Sequence, residues 1–220
     1  YTLVAGSGSA DNGSFAINGK RLESANSFNF AVKRSYTVRV RSTDSGGMHF
    51  DKVFPISVDD PPVSVGLSNA AAAENQPAGA LVGTLSSIDP NVGDTFTYSL
   101  VSGSGSNDNA TFAISGDKLQ TGTALDYEAK STYSVRIRTT DAGGMFVDDA
   151  FTITVTDVND APTAMSLSKA IVPENEAAGT VVGVLSSTDQ DFGDGFAYTL
   201  VPGNGSGDNA RFSINGNQLL

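Results

Sequence analysis

Ser99-Leu100-Val101 followed by Asp108-Asn109-Ala110-Thr111-Phe112-Ala113-Ile114 is a phrase this chain writes three times. It stands first as Thr2-Leu3-Val4 with Asp11-Asn12-Gly13-Ser14-Phe15-Ala16-Ile17. It returns as Thr199-Leu200-Val201 with Asp208-Asn209-Ala210-Arg211-Phe212-Ser213-Ile214. Phe15, Phe112 and Phe212 fall 97 and then 100 residues apart, a near-constant period that marks an array of equivalent modules. Each position can therefore be read against its counterpart. The chain holds one complete module, 61–160, between an N-terminally truncated one, 1–60, and a C-terminally truncated one, 161–220. A full module of this size can bury its own core, unlike the shorter unit of a solenoid.

Around the phrase the complete module reads as short strands. Phe96-Thr97-Tyr98-Ser99-Leu100 and Tyr133-Ser134-Val135-Arg136-Ile137-Arg138 alternate apolar and polar residues, as half-buried strands do. Ala150-Phe151-Thr152-Ile153-Thr154-Val155 puts Phe151, Ile153 and Val155 on one face. Residues 63–68, 80–87, 111–114 and 118–121 supply four more strands. Asn18-Gly19, Ser115-Gly116 and Asn215-Gly216 occupy one repeat position and read as two-residue hairpin turns. Seven strands in one module predict an all-β fold of tandem seven-stranded Greek-key β-sandwich modules, one complete and two truncated. With no cysteine and no tryptophan, the core must rest on Phe, Tyr, Ile, Leu and Val.

Composition narrows the chemistry. Without cysteine there is no disulfide framework and no thiolate ligand or nucleophile, and the single histidine, His49, makes histidine-based metal sites and Ser-His-Asp catalysis improbable. Acidic residues outnumber basic ones 24 to 13, a net charge of −11 that disfavours nucleic acid and anionic membranes and favours hard cations. No apolar run long enough to span a membrane is present, so no membrane insertion is expected of this stretch. The chain opens and closes inside a module, which predicts a piece of a longer array. Its half-modules are expected to fray or to complement one another between chains by exchange of strands.

The acids are not scattered. Lettering the strands A to G places Glu74, Asp126 and Glu128 at the end from which the chain leaves the complete module, and Asp89 and Asp141 at the opposite end. Acids at the foot of one module should thus meet those at the head of the next, with Thr156-Asp157-Val158-Asn159-Asp160-Ala161-Pro162 passing between them. At this second joint Glu74, Asp126, Glu128, Asp157, Asp160, Asp189 and Asp191 converge and would repel without a cation. Ca2+ suits such a set, accepting six to eight oxygen ligands in forgiving geometry. Mg2+ demands a stricter octahedron, and Zn2+ prefers His or Cys.

These motifs resemble those of cadherin repeats, in particular the bacterial cadherin-like modules of large surface proteins. The family's Asp-x-Glu motif is matched by Asp126-Tyr127-Glu128, its Asp-x-Asp motif by Asp189-Gln190-Asp191, and its early glutamate by Glu74 and Glu174. Its linker, of the form Asp-x-Asn-Asp-Asn-x-Pro, is matched by Asp157–Pro162, one residue shorter. The resemblance implies that Glu74, Asp126 and Glu128 hold Ca2+ from the foot of the complete module. Asn159 and Asp160 would add side chains, Val158 and Ala161 carbonyls, and Asp157 an outer contact. Asp189 and Asp191 would close the site from the next module.

The first joint departs from this pattern. Asn29 and Ala31 stand where Asp126 and Glu128 would be, and the linker Val58-Asp59-Asp60-Pro61-Pro62 is two residues shorter. Asp59, Asp60, Asp89, Asn91 and Asp141 remain, which predicts weaker Ca2+ binding or fewer ions there.

The function expected is a calcium-rigidified, non-enzymatic repeat segment of an extracellular or cell-surface adhesin. Its partners would be Ca2+ and other copies of itself. The alternative is a carbohydrate-binding or spacer module of a secreted protein that acts on surface or matrix polysaccharide. Reading Asp126 and Glu128 as a glycosidase pair fails because a catalytic pair has no reason to sit at a module joint.

Overall fold

The computed structural model describes residues 1–220. In residues 61–160 the strands are Ser64–Leu67, Ala71–Ala73, Leu81–Ile88, Thr97–Leu100, Phe112–Ser115, Lys118–Thr121, Thr132–Thr140 and Phe146–Thr156. Ser64–Leu67, Leu81–Ile88, Lys118–Thr121 and Phe112–Ser115 form one sheet. Ala71–Ala73, Phe146–Thr156, Thr132–Thr140 and Thr97–Leu100 form the other. Eight segments fill seven strand positions because the first strand is split. Ser64–Leu67 pairs antiparallel with Leu81–Ile88, and the chain then crosses to pair Ala71–Ala73 in parallel with Thr154–Thr156. This second half was not predicted, since three alanines carry neither β-branching nor alternation. The crossing needs a close approach. A Cβ on Gly83 would lie 2.5 Å from the Asn69 carbonyl oxygen, and one on Gly183 would lie 2.3 Å from that of Lys169.

The chain divides into two compact units that cut across this module: Tyr1–Ala70, Ala78–Thr123 and Ser134–Ile153 in one, Ala71–Pro77, Ala124–Tyr133 and Thr154–Leu220 in the other. In the first unit Val65, Val82, Leu85, Phe112, Leu119, Val135, Ile137 and Ile153 are buried. Thr139 is buried among them and shares a 2.7 Å hydrogen bond with Ser87, whose hydroxyl also donates to the Tyr98 hydroxyl. Such pairing is what keeps a polar group tolerable in a core.

The repeated phrase is explained by its hydrogen bonds. Asn109 accepts the Arg136 N–H at 3.0 Å and donates to the Val101 carbonyl at 2.9 Å, while Asp108 accepts the Ser134 N–H at 2.8 Å. Asn12 and Asp11 repeat this with Arg39, Val4 and Thr37. The phrase ties a loop to Thr132–Thr140 in the complete module and to Ser35–Thr43 in the first. Nearby, Asp148 accepts from Arg136 and Arg138, and the Arg138 guanidinium lies over the Phe146 ring at 3.6 Å.

In the second unit Ala72, Leu125, Val155, Val182 and Leu185 are buried. Ala164–Leu167, Gly183–Thr188, Gln218–Leu219 and Ile214–Asn215 form one sheet in that order. Asn215 pairs with Gln218, so the two loop residues of the last hairpin are Gly216 and Asn217, one position later than the predicted Asn215-Gly216 turn.

Candidate metal centre

Glu74 organises the second-joint site. It follows directly on Ala71–Ala73, and its N–H donates to the Thr156 carbonyl, so the parallel pairing places it against the start of the linker. The side chain is fully buried. Oε1 accepts the Val158 N–H at 2.8 Å and Oε2 accepts the Tyr127 N–H at 2.7 Å. One carboxylate thus binds both the linker and the Asp-x-Glu turn.

Around it the acids gather. Glu74, Glu128 and Asp160 bring one carboxylate oxygen each within 4.8 Å of one another, as do Glu128, Asp157 and Asp191. Asp189, Asp191 and Asp194 form a third such group. Asp191 accepts the Asp160 N–H at 2.5 Å, and Asn75, at φ 59°, donates to Asp160 Oδ1 at 2.8 Å. Asn159 donates to the Asp160 carbonyl at 2.6 Å. Asp126 is turned toward its own loop, where Oδ1 accepts the Ala129 N–H at 2.8 Å, and it belongs to none of these groups. Val158 and Ala161 lie on the linker beside them; the backbone N–H of Val158 is the one held by Glu74.

The electrostatics follow from the crowding. Partial desolvation by the surrounding groups raises the pKa of Glu128, which stays exposed, and Glu74, Asp157 and Asp191 raise it further. Partial desolvation likewise raises Asp157, also exposed, with Asp191 and Glu74 adding to it. One oxygen of Asp189, Oδ2, is buried with no hydrogen-bond partner. An all-oxygen donor set that resists its own ionisation, with an orphaned carboxylate oxygen, fits a hard cation.

The first joint is built differently. Asp59, Asp94 and Asp141 bring carboxylate oxygens within 4.8 Å of one another. Asp89 stands beside them: its Oδ1 accepts the Asn91 N–H, and its charge helps raise the pKa of Asp59, behind burial, Asp141 and Asp94. Asp60 and Asn91 are outside that trio, joined to each other as the Asp60 N–H donates to Asn91 Oδ1 at 3.0 Å. The shortening of the linker is larger than the motif suggested. The Val58 N–H bonds Arg34 as that of Val155 bonds Ser131, and the Asp60 N–H bonds Asn91 as that of Asp160 bonds Asp191. Two steps separate Val58 from Asp60 and five separate Val155 from Asp160, a difference of three.

Asp94 and Asp194 were missed by the sequence reading. Both follow a glycine, at Gly93-Asp94 and Gly193-Asp194, exactly one 100-residue period apart, so the repeat itself carried the signal.

The chain is similar to several known proteins. Residues 68–156 match the cadherin domain family. Human protocadherin Fat 4 is 30% identical over 210 residues, covering 89% of this chain and 4% of its own length. Mouse cadherin-24 is 34% identical over 154 residues, covering 60% of this chain and 19% of its own. The crystal structure of the human Desmocollin-1 ectodomain aligns over 90% of this chain and 41% of its own, with 21% identity and a TM-score of 0.45. The chain thus spans a small part of the relatives it matches. No helix is long and apolar enough to cross a membrane. Residues 68–156 match the cadherin domain family, and the chain as a whole is built of tandem β-sandwich modules.

Proposed function

We propose that this chain is a Ca2+-binding, Ca2+-stiffened extracellular segment of a cell-surface or secreted adhesin. The observation that carries the proposal is the convergence of Glu74, Glu128, Asp157, Asp160 and Asp191 on one linker, two of them with raised pKa values. Those five, with Asp189, Asn159 and the carbonyls of Val158 and Ala161, are the proposed ligand set. Asp126 joins it with one oxygen already on the Ala129 N–H. Bound Ca2+ supplies the positive charge that lets these acids ionise side by side.

The protein's own residues do the rest. Glu74 fixes the linker and the Asp-x-Glu turn through two backbone N–H groups, and Asp191 fixes Asp160. With the acids neutralised, the linker holds one course and the segment projects as a rod. Affinity in the range of roughly 10⁻⁴–10⁻³ M matches extracellular Ca2+ and leaves such sites empty in the cytosol. The role is adhesive or stalk-like, non-enzymatic, and compatible with pairing between copies.

Small-angle scattering of the 220-residue chain with Ca2+ and with chelator tests the reading. A longer, stiffer particle in Ca2+, lost in Asp157→Asn, is expected. An envelope indifferent to chelator would overturn it.

A further inference from the structure

The first joint carries a side-chain latch that the second joint lacks. We propose that Arg34, at the foot of the first module, closes on Asp59 and Asp94 and holds this joint straight when no metal is present. The proposal does not rest on Ca2+ at the second joint and uses none of the residues there.

The two feet differ in charge. Asn29, Ala31 and Arg34 stand where the complete module has Asp126, Glu128 and Ser131, so two acids are gone and one cation is gained. The neighbouring Lys33 recurs as Lys130 and is spent on Asp11. Arg34 is thus the charge peculiar to this joint. Its backbone is anchored there: the Val58 N–H donates to the Arg34 carbonyl at 2.9 Å, and Asp59 is the next residue along the linker. Two steps from Val58 to Asp60, against five from Val155 to Asp160, keep the linker acids beside the foot that carries Arg34.

Arg34 and the acids share one space. A cleft of about 550 Å3 is lined by Phe30, Arg34, Asp59, Val92 and Asp94, all within the first compact unit. The guanidinium rests over the Phe30 ring, 4.8 Å from its centroid, and not on a carboxylate. A ring face at an exposed site holds a cation weakly. The acids offer more, because Oδ2 of Asp94 has no hydrogen-bond partner and Asp59, Asp94 and Asp141 crowd within 4.8 Å. An isolated surface ion pair contributes little, whereas a planar guanidinium facing several crowded carboxylates joins a network and presents its fork of N–H donors to them. Closing the cleft also takes Val92, fully exposed at its rim, out of water. Ser131 can do none of this at the second joint.

Pulsed dipolar spectroscopy on the intact 220-residue chain reads the joint. The chain has no native cysteine, so Lys20→Cys and Lys118→Cys, both exposed, place one spin label on each module. All measurements are made in chelator. The parent should give one narrow distance distribution at low salt. Arg34→Gln should lose that narrow peak, as should the parent in about 1 M salt, where charges act over only about 3 Å. Asp94→Asn should broaden the distribution likewise, and Arg34→Gln added to Asp94→Asn should broaden it little further. Lys33→Gln, which removes an equal charge one residue away, should leave it narrow.

An Arg34→Gln distribution that matches the parent overturns the latch, and so does a parent already broad at low salt. Equal broadening by Lys33→Gln overturns it by making net charge the cause. Fully additive broadening in the double variant overturns it by uncoupling Arg34 from Asp94. The Ca2+ reading of the second joint survives each of these results, since no label pair crosses that joint and no metal is present. A second joint indifferent to Ca2+ leaves the latch standing.

Discussion

The Val158 N–H donates across 2.8 Å to Oε1 of Glu74, a side chain wholly withdrawn from solvent and 84 positions earlier in the chain. Its second oxygen holds the Tyr127 N–H. Glu74→Ala therefore strands two backbone donors, each costing about 1–3 kcal/mol when buried and unpaired. Chemical denaturation should show a loss of about 2–5 kcal/mol. Glu74→Gln, which keeps one acceptor oxygen, should lose less. Equal stability of Glu74→Ala and the parent would remove Glu74 from its organising role.

Gly83 tests the split first strand. A Cβ there meets the Asn69 carbonyl at 2.5 Å and the Leu67 side chain at 2.9 Å. Gly83→Ala should destabilise the chain by about 1–3 kcal/mol through overpacking. Because the obstacle is backbone, relaxation is restricted. An unchanged melting temperature would show that the crossing tolerates a methyl group.

Asn91→Asp should convert the first joint to the charge pattern of the second. The new carboxylate loses the donation to Val58 and sits beside Asp89 and above the Asp60 N–H. In chelator the variant should melt below the parent; in millimolar Ca2+ the difference should shrink or reverse. A deficit that Ca2+ leaves untouched would show that the added acid finds no metal.

The pH profile should also respond to metal. Partial desolvation and acid neighbours raise Glu128 above 4.5 and Asp157 and Asp59 above 3.8, though all three stay exposed. A raised carboxylate contributes stability that is present below its unfolded value and lost as pH rises through its folded value. Asp148 and Asp51 are lowered by hydrogen bonds from Arg138 and Arg41, so their contribution is present above 3.8 and lost as pH falls. Opposed slopes set the raised acids against the lowered ones, and the raised acids pull the optimum in chelator below neutrality. Ca2+ competes with protons for the raised groups, so the optimum should move toward neutrality. Melting curves across pH with chelator and with Ca2+ decide this; superimposable profiles would contradict it.

Much of this was legible in residues alone. The Tyr133–Arg138 alternation and the hairpin dipeptides predicted strands that the structure contains, because half-buried strands and tight turns leave local signatures. Ala71–Ala73 left none: its strand state comes from the partner Thr154–Thr156, not from its own side chains. The acid motifs pointed to two clusters, yet motif spacing could not show that Asp126 turns to Ala129 or that Asn91 clasps the linker. Those are choices of rotamer and partner, settled only when distant segments meet. Asp94 was legible through the period but lies outside the motif that drew attention to its neighbours.

The parallel pairing of Ala71–Ala73 with Thr154–Thr156 has a mechanical consequence. Tension applied along the polypeptide drags these two segments past each other lengthwise, so their ladder is loaded in shear and its bonds must yield together. An antiparallel pair pulled from one end would unzip bond by bond. A tether built from such modules resists stretching at the places where each begins and ends.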